Sequence, residues 1–258
     1  MDRGGHREPW SLSVRRLDTH RECAVTLLAT EIHRHNQPDA MIIFAADRRI
    51  SRGAVRDSEQ PKVFAIPRLR AGIGYFGLAE IPSGAGSEPM AVWLQRCVTA
   101  SAAPTLATLA HDVASALNAA VPAAWRRSVV SGFHLCGFAD AARPEFWYIR
   151  NCDDTSEQHP TGTYAAREDF QGRDAPRLTP GQGMVYRNGD ICPHVLVWER
   201  IDEAFGSLLA APDFSVPRTP NEYARWVEFK MGVIAQFYER FCRVSIIGGP
   251  VDAFAITW

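Results

Sequence analysis

Apolar positions along this 258-residue chain follow two rhythms that take turns. Ala24 to Ile32 and Met41 to Ala46 are short apolar runs separated by the polar turn HRHNQPD, and both predict strands. The second run barely alternates, which predicts burial on both faces. Arg52 to Pro61 is charged and reads as a loop. Lys62 to Ile66 and Ala71 to Leu78 read as two more strands, broken by Pro67. Four strands joined by short connections favour antiparallel pairing over crossover units.

The period then lengthens. Met90, Trp93, Leu94, Cys97 and Val98 form a helical stripe within Pro89 to Ala100. Leu106, Leu109, Val113 and Leu117 mark a second helix over Thr105 to Ala120, stopped by Pro122. Strands resume at Ser128 to Phe138 and Glu145 to Asn151. Asn151 to Gly183 is rich in Gly, Pro and Asp and reads as loop with at most one short strand. A third helix spans His194 to Leu209. The fourth opens on Thr219-Pro220-Asn221-Glu222, where Thr caps exposed amides, Pro suits the first helical position and Glu completes a capping box. Val244 to Ile247, Gly248-Gly249 and Val251 to Trp258 close the chain as strand material.

Each helix has one apolar face, so each pair needs a sheet to cover. The expected fold is α+β, a four-layer αββα sandwich with two mainly antiparallel sheets between two helix pairs. Composition changes this little: 46% hydrophobic and 22% charged residues suit a folded protein, and a net charge of −1 argues against nucleic acid or an anionic membrane. Residues 1–22 are polar and lack a signal-peptide core, and no stretch reaches the length of a membrane span. Cys23, Cys97, Cys136, Cys152, Cys192 and Cys242 are scattered without paired spacing, which predicts free thiols in a reducing, cytoplasmic setting.

One stretch asks for chemistry. In IIFAADRRIS an apolar strand narrows to Ala45 and Ala46 and ends on Asp47. Either the strand is leaving the core, or Asp47 holds something polar. The element order, together with IIFAADRRIS, KVFAI, AGIGYFGLAEI, GFHLCGF, GQGMVY and IGGPVDAFAIT, resembles the proteasome subunits of the N-terminal-nucleophile (Ntn) hydrolases over Cys23 to Trp258. The resemblance implies that Asp47 orients an active-site Lys62. It also implies that GQGMVY opens the third helix and that the first residue of a processed chain is the nucleophile. A buried ammonium lowers the cost of forming an alkoxide or thiolate, and a carboxylate keeps that ammonium charged. The alternative is a buried ion pair that fixes strand register without chemistry.

Cys23 is the nucleophile candidate at the start of the first strand, ahead of the less well placed Thr26 and Thr19, but Glu22 replaces the small residue expected before a cut. The family's supporting acid falls on Val244 and its serine on Ile247, with Ser245 only nearby. A second serine falls on Met184. The oxyanion-donating glycine pair becomes Phe76-Gly77. The acid and lysine are present and most of the rest is not.

The expectation is therefore a non-catalytic, homo-oligomer-forming subunit, with residues 1–22 an uncleaved extension and 23–258 a single domain. Two alternatives stand beside it. One is a self-processing peptide or amide hydrolase using Cys23, Asp47, Lys62 and the Gly77 amide. The other is a small-molecule binder using the cleft between the sheets. No cofactor is expected. His33 with His35, and His134 with Cys136, are weak metal candidates, the first a solvated loop pair and the second two inward positions of one strand. The tryptophans read as core.

Overall fold

The computed structural model describes residues 26–33, 40–52, 55–83, 86–140, 143–152, 159–170, 183–189, 197–243 and 246–258. Two antiparallel sheets organise them. The first has four strands in the order β12 (Met184–Gly189), β1 (Leu27–His33), β2 (Met41–Asp47), β13 (Val251–Thr257). The second has five, in the order β11 (Pro160–Phe170), β10 (Arg143–Cys152), β9 (Gly132–Asp140), β6 (Ala71–Phe76), β5 (Val63–Ile66). Two small hairpins, β3 (Arg49–Arg52) with β4 (Val55–Glu59) and β7 (Glu80–Ser83) with β8 (Gly86–Pro89), stand apart.

Five α-helices complete the described residues: α1 (Met90–Ala100), α2 (Leu106–Ala120), α3 (Ala123–Arg126), α4 (Trp198–Leu209) and α5 (Pro220–Phe241). The long α5 starts with the expected capping box. The Thr219 hydroxyl accepts from the Glu222 amide, and the Glu222 carboxylate accepts from the Thr219 amide.

Strand β2 explains its own unbroken apolar run. Met41, Ile43 and Ala45 pack against α4 and α5 beside Trp198, Val227 and Met231. Ile42, Phe44 and Ala46 pack toward the other sheet, against Val63, Phe76 and Phe146. Successive side chains on a strand point to opposite faces, so a strand covered on both sides loses its polar alternation. A third cluster joins α1 and α2 to the five-stranded sheet through Leu94, Leu109, Val113, Leu117, Ile73 and Leu135.

Several sequence expectations are corrected. The charged stretch expected as loop contains strand β4 at Val55–Glu59, paired with β3; a hairpin outside the main sheets can be built from polar residues, which a hydrophobic-pattern reading misses. Asn151 to Gly183 contains the eleven-residue edge strand β11. Its edge is held by a side chain: Asn118 Oδ1 accepts from the Tyr164 amide at 2.9 Å, and Asn118 Nδ2 donates to the Tyr164 carbonyl at 2.8 Å. The end of GQGMVY opens no helix; Met184 begins β12, antiparallel to β1. Ile246 to Pro250 is a turn rather than strand, with Gly249 at φ +74°. Of the tryptophans, Trp93, Trp147 and Trp198 are core, whereas Trp258 is exposed.

Candidate functional site

Asp47 is the last residue of β2, and Lys62 immediately precedes β5 on the other sheet. Lys62 Nζ donates to Asp47 Oδ1 at 3.0 Å, and both side chains are 0% exposed. The carboxylate is otherwise held by backbone. Oδ1 also accepts from the Leu27 amide at 2.8 Å, and Oδ2 accepts from the Gly248 amide at 3.3 Å. One carboxylate thus ties the start of β1, the end of β2, the entry to β5 and the turn before β13.

Burial pulls the pKa of Lys62 below its ordinary value; the Asp47 charge and hydrogen bond oppose this, and nearby Arg49 adds to the lowering. Arg49, two residues past Asp47, forms an outer layer. Its guanidinium donates to the Ile247 carbonyl at 3.1 Å and pairs with Glu239 at 3.3 Å, and Glu239 accepts from the Gly249 amide at 2.9 Å. Burial, followed by the Asp47 charge, pushes the nearby Tyr75 hydroxyl well above the ordinary tyrosine range. Sequence reasoning found Asp47 and Lys62 but missed Arg49, whose signal is its spacing of two from Asp47 on an extended chain.

Gly77 follows β6 at φ +89°, and a Cβ there would lie 2.4 Å from the Val130 carbonyl oxygen. Glycine is required at that position by conformation and space together. Phe76 turns its ring toward His134, at 6.2 Å between centroids. At the start of β1, Thr26 is buried, and its carbonyl oxygen would be 1.4 Å from a Cβ placed on Gly189. Cys23, Thr19, Glu22, Val244 and Ser245 lie outside the described residues. Ile247 is buried in the cluster beneath α5, and Met184 sits in β12.

Between the sheets the space is filled by Leu28, Phe44, Phe76, Phe138, Phe146 and Tyr186. His134 sits among them with both ring nitrogens engaged: Nδ1 is 3.0 Å from the Thr30 hydroxyl and Nε2 is 2.6 Å from Asn188 Oδ1. A cleft of about 460 Å³ lies elsewhere, between the edge strand β5 and α1, lined by Val63, Phe64, Ile66, Leu94, Val98 and Phe254. Neither Asp47 nor Lys62 lines it. His33 pairs with Glu31 at 2.7 Å; His35 lies outside the described residues.

No family model and no curated protein matches the chain. Among solved structures it is similar to the Anbu complex from Pseudomonas aeruginosa, described as a helical assembly. The identity is 12% over 89% of this chain and 81% of that one, with a TM-score of 0.47. It is also similar to Anbu from Hyphomicrobium sp. strain MC1, at 16% identity over 89% and 81% of the two chains, with a TM-score of 0.42. These findings correct the recognition of the chain as a proteasome-subunit-like Ntn hydrolase. The motif order that suggested it is matched by no family model, the solved structures it is similar to are Anbu complexes at low identity, and the GQGMVY motif that was to open a helix enters strand β12.

Proposed function

We propose that this protein is a non-catalytic, oligomer-forming subunit in which Asp47 and Lys62 act as a structural clamp. One observation carries the reading: the acid and the ammonium are both sealed from solvent, and the carboxylate is already engaged by Lys62 and by the amides of Leu27 and Gly248. A group so engaged is poorly placed to orient a lysine toward a reacting atom. Exposed phenylalanines on α5 support assembly. The same reading makes 23–258 one domain built as a four-layer αββα sandwich, which the three apolar clusters support, with 1–22 retained as an extension. It places the chain in the cytoplasm, in keeping with free Cys97, Cys136 and Cys242.

A second reading is the self-processing amide hydrolase, favoured by the fully buried Lys62 ammonium being held 3.0 Å from the Asp47 carboxylate at the start of β1 and the end of β2. Cys23 would supply the thiolate, its freed amine the base, Asp47 and Lys62 the positive environment, and the Gly77 amide the oxyanion contact. Intact mass, native mass and hydrolysis of fluorogenic peptides and simple amides separate the two. The clamp reading expects a full-length chain, a native mass that is a multiple of the monomer, and no turnover. A chain starting at Cys23, with turnover abolished by Lys62→Ala, would replace it with the hydrolase.

A further inference from the structure

Strand β5 is the outer strand of the five-stranded sheet, and its backbone is paired on one side only among the described residues. The Tyr75 amide donates to the Lys62 carbonyl at 3.0 Å, which fixes the alternation along the strand. Lys62, Phe64 and Ile66 turn their backbone groups to β6, the last two opposite Ile73 and Ala71. The N–H and C=O groups of Val63 and Ala65 therefore point away from β6, where no described strand lies. Such an edge is a template for a further strand, and charged side chains are a common guard against it. The other outer strands carry that guard: Arg167, Glu168 and Asp169 in β11, Arg187 in β12 and Asp252 in β13. Strand β5, Val-Phe-Ala-Ile, carries no charge.

The cleft of about 460 Å³ beside this edge has the form of a missing strand. It runs along all four residues of β5, roughly 13 Å at about 3.3 Å per residue. Leu94, Gln95, Val98 and Thr99 of α1 make one wall, and Phe254 of β13 makes the other. Both walls are fixed from behind. Leu94 is buried in the cluster beneath α1, and Phe254 stacks on Phe44 with ring centroids 5.5 Å apart. The described residues that line the cleft include no charged side chain.

We propose that β5 binds an extended, uncharged peptide segment of a partner protein by strand addition. The peptide backbone bonds to the outward groups of Val63 and Ala65, and its side chains alternate between α1 and Phe254. Apolar side chains suit the positions that face Leu94 and Val98. The walls select a lone strand over the edge of a second copy. A second copy would bring its strand flanked by its own helix layer, which meets α1 before the strands can pair. The site is separate from Asp47 and Lys62, neither of which lines it.

Isothermal titration of the full chain with the blocked peptide acetyl-Ser-Val-Ser-Val-Ser-Val-amide tests the site. The control is the same peptide N-methylated at every residue, which keeps the side chains and removes the donors. Ala65→Pro deletes an outward donor without touching the β6 ladder, and Gln95→Trp fills the groove from an exposed position of α1. Circular dichroism checks that each variant is folded, and if Ala65→Pro is not, Gln95→Trp decides alone. Wild type is expected to bind the blocked peptide, and binding should be about tenfold weaker for the N-methylated peptide and for each variant. Amide exchange at Val63 and Ala65 should slow on binding, with Phe64 unchanged because its amide already faces β6. No binding, or equal binding by wild type and the folded variants, overturns the proposal. Protection of Val63 and Ala65 without peptide, lost when an oligomer is diluted to monomers, would show that a second copy fills the groove and would overturn it as well.

Discussion

Lys62 and Asp47 come from different sheets and meet with no solvent contact, the ammonium 3.0 Å from the carboxylate. Removing one partner leaves the other charged, buried and unpaired. Asp47→Asn and Lys62→Met should each lower unfolding stability by roughly 3–5 kcal/mol, and the double variant should lose less than the sum. Chemical denaturation of the three variants checks this. Additive losses would mean that the two groups do not interact.

Glu31 gives the pH dependence. Burial pushes its pKa up, but the hydrogen bond from His33 and the charge of Lys230 together outweigh burial and hold it below its ordinary 4.5. A carboxylate with a depressed folded pKa contributes stability that is present above about 4.5 and is lost as pH falls through the folded value. Glu31→Gln should therefore lower stability at neutral pH and flatten the fall below pH 4.5. An unchanged acid limb in the variant's denaturation profile would contradict the assignment.

Gly189 lies opposite Leu27 in the β12–β1 pairing, at φ +116°. A side chain there runs into the Thr26 carbonyl, which is backbone and cannot turn aside. Gly189→Ala should cost about 2 kcal/mol or more and raise amide exchange at the start of β1. Wild-type stability in this variant would show that β1 can shift without disturbing the clamp.

The thiols should react in the order of their surroundings. Cys242 is exposed, Cys97 is half-buried with its pKa raised by burial, and Cys136 is fully buried with its pKa pushed well above the ordinary range. Maleimide labelling followed by peptide mapping should find Cys242 before Cys97, and Cys136 only on unfolding. Equal rates at Cys136 and Cys242 would mean that β9 opens in the native state.

Strands and helices with one strong period were legible in the sequence: Met41 to Ala46, the stripe of α2 and the capping box of α5 all stand where their patterns put them. Polar strands were not. Those of β4 and β11 gain their partners from elsewhere in the chain, β3 for one, β10 and the Asn118 amide for the other. The pairing of Asp47 with Lys62 was expected from motif order. The two backbone amides that complete it carry no side-chain signal, and the Leu27 amide in particular has no mark in the sequence. The GQGMVY motif misled because a glycine such as Gly183 can stand before a strand, here β12, as readily as before a helix.

The clamp also bears on how the chain can be made. Asp47 is joined to residues 15, 20 and 201 positions away. Strand β2, apolar from Met41 to Ala46, has β13 as its neighbour on one side, so a growing chain carries an unpaired apolar edge until residues beyond Gly248 have been synthesised. Such an edge is a template for pairing with other chains, and contacts of this separation form slowly. Synthesis of this protein therefore has a vulnerable interval, opening when β1 and β2 pair and closing only when the last strand docks. Any nascent-chain chaperone would have to cover β2 during that interval.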